Sequence, residues 1–302
     1  MVSKVYKCRN HKDHKFHKSY KFRKSRKNSR FQDKSTECNP VEISAPTPKL
    51  TNEFLSTFLE VPKSQNPLAE ENEGVIDDIP QTGKVHFLGG VFDDITTPGS
   101  PGLIQRSVTV GSHQSLVMPI IQQSVDNVGW NFTGFPGYEA PAPHVLTTEE
   151  QKFINEKVID TVTGLNFSLD GKSLIRDCDW EKYRVASSSP YTWDVPETDD
   201  ITNYRGGPYP DSWIEQPYTQ GVQDGYWVQL DNLSIGSHTI HFTGTVNYQK
   251  IDATVDYNNS GSIGDHPVEA LLQYLSTLGS ATQQIKYQVN VVSACQYNNM
   301  FL

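Results

Sequence analysis

The chain has 302 residues, a formal net charge of -9, 36% hydrophobic residues and a mean hydropathy of -0.54. No run of about 18 apolar residues exists, which excludes a helical membrane span, and the charged N-terminus lacks the apolar stretch of a secretory leader. The net charge describes neither end: residues 1–34 hold 13 of the 26 Lys and Arg against two acids, a balance of +11, while the other 268 residues carry 13 cations and 33 acids, a balance of -20.

The first 34 residues read as a polycationic arm built from Lys4, Lys7, Arg9, Lys12, Lys15, Lys18, Lys21, Arg23, Lys24, Arg26, Lys27, Arg30 and Lys34. Such a segment buries too little apolar surface to offset its chain entropy and is expected to be disordered on its own. Residues 35–83, rich in Pro, Ser, Thr, Asn and Glu, read as a linker. One short helix is expected within it over "TNEFLSTFLE", with Thr51 or Asn52 as cap and Phe54, Leu55, Phe58 and Leu59 on one face.

From Lys84 onward, short β-type runs alternate with turn clusters. "KVHFLGGVF" is the first; "IQRSVTV" and "QSLVMPII" flank Gly111-Ser112 as a hairpin or corner, with Pro119 pointing to an edge or a strand end. A helix follows, capped by Thr147 or Thr148 and keeping helical spacing through Phe153, Ile154, Val158 and Val162 up to Gly164. In "LNFSLDGKSLI", Leu165, Phe167 and Leu169 alternate with polar residues before Asp170-Gly171, the signature of a type I′ hairpin turn. "DGYWVQLDNLSIGSHTIHFTG" predicts two strands, with Tyr226, Val228 and Leu230 on one face of the first and Ile240 and Phe242 inward on the second. A helix over "HPVEALLQYLSTLG" and a closing strand with Ile285, Tyr287, Val289 and Val291 on one face complete the domain. Many short strands and one or two helices predict a mainly β fold, an antiparallel sandwich of jelly-roll type over residues 84–302.

At "DGYWVQLDNLSIGSHTIHFTG" the chain resembles a group of mostly uncharacterised bacterial and environmental proteins with a D-G-Y-W-x-x-L-x-x-L-x-x-G-x-H-T-I-H-F-x-G pattern. The upstream blocks "KVHFLGGVF", "LNFSLDGKSL" and "YRVASSSPYTWDVPE" and the closing "IKYQVNV" follow in the same order, so the resemblance spans about residues 84–292. It implies a compact β-sandwich and no particular activity. The cationic arm stands where members of that group carry a secretory leader.

Chemical motifs are sparse. There is no nucleophile elbow, zinc-protease helix, phosphate loop or dinucleotide fingerprint, and no cofactor is expected. His238 and His241 lie three apart in a strand and so face opposite ways, which favours a hydrogen-bonded packing role for His238 over a shared metal. Cys8, His11, His14 and His17 recur every third residue without the pairing of a structural zinc site. Four cysteines, Cys8, Cys38, Cys178 and Cys295, are too scattered for a disulfide framework and fit a reducing compartment. The acid pairs Asp93-Asp94, Asp177/Asp179 and Asp199-Asp200 read as solvated loop carboxylates or, alternatively, as acid/base candidates. Loop aromatics, chiefly Trp130, Trp180, Tyr191, Trp193 and Trp213, read either as a ligand surface or as plugs for the sandwich ends.

The arm carries the sharper expectation. Phe16, Tyr20, Phe22 and Phe31 interleaved with cations suit phosphate neutralisation with base stacking, so nucleic acid or another polyanion is the expected partner. A basic arm on an acidic sandwich has the layout of many viral coat proteins, an analogy of architecture. It leads to the expectation of a non-catalytic structural or virion-associated protein, located in virions or inside cells, the nucleus included. The alternative is a carbohydrate- or surface-binding sandwich, or a hydrolase built on one.

Overall fold

A computed structural model of the chain describes residues 40–69, 79, 81, 83–90, 102–127, 145–202, 219–258 and 266–300. The compact unit begins at Val41. It is mainly β and is built from two sheets. In chain order its elements are β1 (Glu42–Ser44), α1 (Pro48–Leu59), β2 (Val85–Phe87), β3 (Ile104–Gly111), β4 (Ser115–Asp126), α2 (Thr148–Ile159), β5 (Val162–Leu169), β6 (Lys172–Ser173), β7 (Arg184–Ala186), β8 (Tyr191–Thr192), β9 (Gln220–Asp231), β10 (Gly236–Asn247), α3 (Pro267–Ser276), β11 (Ser280–Val292) and α4 (Ala294–Asn299).

One sheet has the order β1-β9-β4-β2, and the other β3-β11-β10-β5-β6. The long strand β9 pairs β4 along one edge, while its other edge is divided among β8, β7 and β1. Most pairings are antiparallel, but β3 with β11 and β2 with β4 are parallel, where a jelly roll is antiparallel throughout. The segments flanking Gly111-Ser112 form a corner, since β3 and β4 belong to different sheets.

Between the sheets, Met118, Ile120, Tyr226, Val228 and Leu230 meet Ile104, Val108, Phe167, Ile240, Phe242, Ile285, Tyr287 and Val289. The alternation read from β5, β10 and β11 is the alternation observed: Phe167, Ile240, Phe242, Ile285, Tyr287 and Val289 are fully buried. Gly244 on β10 lets the sheets approach, because a Cβ there would lie 2.6 Å from the Ile120 carbonyl oxygen.

The first sheet is covered on its other face as well. There α1 presents Phe54, Leu55, Phe58 and Leu59 to Phe87, Val117, Trp193 and Trp227 in a second core. Thus β9 is buried on both faces, and residues 41–69, whose composition suggests a linker, build a third layer. The helix begins earlier than its sequence predicts: Thr47 is the cap and Pro48 occupies the first turn. Gln223 fastens it, donating to Thr51 Oγ1 (2.9 Å) and the Val185 carbonyl (3.2 Å) while accepting from the Trp227 indole (3.0 Å).

A third cluster at one end joins α2 and α3 through Ile154, Val158, Val246, Leu271, Leu272 and Leu275. Thr147 and Glu150 form a capping box at α2. Glu150 also meets His266 Nε2 at 3.2 Å, and His266 caps α3 by accepting from the Val268 N–H at 3.3 Å. The expected continuation of α2 to Gly164 does not occur. The helix stops at Ile159, because Val162–Leu169 is taken as β5 by the ladder of β10. Pro119 lies within β4 and not at its end, but beyond Ser115–Val117, the part that β2 pairs, and where the register with β9 shifts between Pro119 and Ile121, so it holds an edge-like position among the described strands.

Candidate functional site

The arm cations, Trp130, Trp213, Asp93-Asp94 and the Cys8–His17 tract lie outside the described residues. Of the aromatics read either as a ligand surface or as plugs for the sandwich ends, Tyr191 and Trp193 are interior side chains, 5% and 1% exposed, packed in the core beneath α1. Their rings are therefore closed to a surface ligand, because the helix takes the face they would present. Trp180 packs half-buried against the inter-sheet core. Asp179 is held below the usual carboxylate range by hydrogen bonds from Lys182 and Arg176, and Asp199 likewise by Ser64. Asp179 thus serves its own turn, whereas Asp199 ties its loop to the segment after α1. Cys295 is an exposed free thiol, whereas Cys178 is disulfide-bonded, which departs from the expectation of reduced cysteines.

Asp170 and Gly171 have φ of 51° and 76°, as a type I′ turn requires. That turn places the Asp170 carboxylate against two groups of β10: Oδ2 lies 2.8 Å from His238 Nδ1, and Oδ1 accepts from the Thr239 N–H at 2.8 Å. On the far side of the ring, Nε2 lies 2.9 Å from the Ser234 carbonyl and 3.2 Å from its hydroxyl. Serine, histidine and aspartate thus stand in the order of a hydrolytic triad. The Ser234 carbonyl and the Asp170 carboxylate can both only accept, however, so the two contacts are satisfied together only by the doubly protonated ring, which has no lone pair for the Ser234 proton. The arrangement locks two turns together. His241 lies on the opposite face of β10, and no group of three or more His, Cys, Asp or Glu placed to hold a metal occurs among the described residues.

This lock has a pH signature. Burial works against the Asp170 charge, but the hydrogen bonds from His238 and Thr239 outweigh it and hold the carboxyl below its ordinary value. Its contribution is complete above about pH 4 and is lost as pH falls through the lowered folded value. Asparagine tolerates the left-handed backbone. The melting temperature of Asp170→Asn should therefore fall below that of the parent above the ordinary carboxylate range, with the gap closing as pH falls through the lowered folded value; a gap independent of pH would refute the assignment.

One concave site among the described residues is a pocket of about 360 Å³ where α2 faces β7 and β9, lined by Lys152, Asn155, Glu156, Arg184, Ala186, Ser187, Gln223 and Asp224. Its floor is an ion pair. Arg184 Nη2 lies 2.6 Å from Asp224 Oδ2, Nε donates to both Asp224 oxygens at 3.1 Å, and Nη1 reaches Asp160 at 2.7 Å. Burial opposes the guanidinium charge, but bonds to Asp224 and Asp160 outweigh it and push its pKa up. For Asp224 burial is the larger effect and raises its pKa against the pull of Arg184. Asn155, 1% exposed, donates to the Val222 carbonyl at 2.8 Å, while its buried Oδ1 meets no donor among the described residues. Neither this asparagine nor the Arg184–Asp224 pair is signalled by sequence motif; the nearest clue was a polar residue on the apolar face of α2.

Two packed sheets with one face of the first closed by a helix define the class as a helix-covered β-sandwich. Comparison with protein-family models, with curated proteins and with solved structures found no match. Among the described residues, no helix is long and apolar enough to cross a membrane.

Proposed function

We propose that the chain is a non-catalytic structural protein, of the virion-associated kind, in which residues 1–34 bind nucleic acid or another polyanion and the sandwich makes protein contacts. The partition of charge carries this reading: +11 over 34 residues against -20 over the remaining 268. Cation density of that order binds phosphate by counterion release, and the aromatics among the cations add a stacking surface. The 13 arm cations all precede Val41, where the unit that contains the sandwich begins. Within the domain, charged groups such as Arg184, Asp224, Asp179 and Asp170 are engaged with neighbours in the fold, as in a structural module.

The test is salt-dependent binding of the full chain, and of a chain lacking residues 1–34, to DNA, RNA and heparin. Full-length protein should bind with log affinity falling linearly in log salt, by about 0.7–0.9 per phosphate neutralised, and the deletion should abolish binding. Binding that survives the deletion, or shows no salt dependence, would overturn the reading.

A further inference from the structure

We infer that the outward face of the β3-β11-β10-β5-β6 sheet is a second nucleic-acid surface, one that meets the sugar-phosphate backbone of a strand bound by residues 1–34; the inference rests on the polyanion reading above. The observation behind it is a partition of charge within the domain itself. None of the five strands of this sheet holds an Asp or Glu, whereas the strands of the other sheet hold Glu42, Asp126, Asp224 and Asp231. The residues after the arm carry -20, so the acid-free sheet is the exception in an acidic domain. Asp170, in the turn between β5 and β6, is engaged by the His238 ring and the Thr239 N–H.

The face is built by alternation. The apolar positions of β5, β10 and β11 point into the core, which sends their polar positions outward. The ladder registers set Gln105, Lys286, His241 and Ser168 side by side across four strands, with Thr243 and Gln288 on the neighbouring rows. Gln105 and Gln288 are exposed and the other four half-buried. Lys286 makes no ion pair among the described residues. A polyanion approaching the domain elsewhere meets an excess of acids. Over this sheet it meets one unpaired ammonium, and the His241 ring, the amides and the hydroxyls supply further donors. Lys, Ser, Thr and Gln side chains are groups that contact phosphate and sugar. The aromatics of these strands, Phe167, Phe242 and Tyr287, are fully buried. No base is stacked on them, so the contact is indifferent to sequence.

The test measures binding of the full chain to mixed-sequence single-stranded DNA and RNA across a range of salt, with heparin as a second polyanion. Lys286→Glu and Thr243→Glu, both on the outward face, should each lower affinity for the nucleic acids about tenfold, the loss of one charge-assisted contact, without changing the melting temperature. Lys286→Glu should also reduce the slope of log affinity against log salt by about 1. Lys49→Glu makes the same change of charge at an exposed position in the first turn of α1 and should leave affinity unchanged. If both face variants bind as the parent does while deletion of residues 1–34 abolishes binding, the inference falls and the reading of the arm stands. A full chain that binds neither nucleic acid removes both. A loss at Lys49→Glu equal to that at Lys286→Glu would show an effect of net charge alone and overturn the inference, and an equal loss toward heparin would overturn the assignment to nucleic acid. Sedimentation in which the parent self-associates and Thr243→Glu does not would give the face to a second copy of the chain instead.

Discussion

A chain starting at residue 84 is expected to lose cooperative folding, whereas one starting at residue 41 is expected, under reducing conditions, to melt as the full chain does. The difference lies in α1. Phe54, Leu55, Phe58 and Leu59 are each 5% exposed or less, and full burial of such side chains contributes about 1.5–3 kcal/mol apiece. Their sum, about 6–12 kcal/mol, rivals the whole stability of an ordinary domain. Removing the helix also uncovers Trp227 and Trp193, strips Gln223 of its bond to Thr51, and frees the part of the β9 edge that β1 occupies. Thermal unfolding followed by circular dichroism, with a dye that binds exposed apolar surface, reads the result. The shorter chain should give a broad or absent transition and strong dye binding. A sharp transition within a few degrees of the parent would show that α1 is an appendage.

The second large effect is expected at Arg106, which points inward from β3 and is 2% exposed. Its partners are neutral oxygens: Nη1 donates to the carbonyls of Gly89 (2.9 Å) and Gly90 (2.7 Å) and to the Tyr287 hydroxyl (3.3 Å), and Nη2 donates to the Pro67 carbonyl. One planar fork thus ties the segments after α1 and after β2 to the inter-sheet core. Methionine in its place matches the volume but leaves three carbonyls short of a donor. At about 1–3 kcal/mol for each unsatisfied group, partly relieved by Tyr287, whose own hydroxyl donates to Gly89, a loss of about 3–5 kcal/mol is expected. In a domain of this size that lowers the melting temperature by about 10 °C. Arg106→Lys should recover only part of it, since one ammonium cannot span both groups of carbonyls as the fork does. If methionine left the melting temperature unchanged, the carbonyls would have to be satisfied by water and the clamp would have no energetic role.

Much of the local structure was legible because it depends on residues within a few positions of one another. The Asp170-Gly171 turn, the Thr147–Glu150 capping box and the inward alternation of β10 and β11 all follow from short-range sterics and period. Even the apolar face of α1 could be read in "NEFLSTFL". Its destination could not, because a polar surrounding composition says nothing about which sheet face stands open to receive a helix.

What the sequence by itself determined is therefore the division of charge, the β character of the domain and the caps and turns that begin and end its elements. Tertiary structure alone decided that β9 is a central strand buried on both faces, that Tyr191 and Trp193 face inward, that β3 runs parallel to β11, and that Asn155 and Arg184 line one pocket. The physical reason is that caps and turns close over three or four residues. Strand partners, by contrast, are chosen among many segments with the same alternating pattern, and only the simultaneous burial of all their apolar faces selects one arrangement.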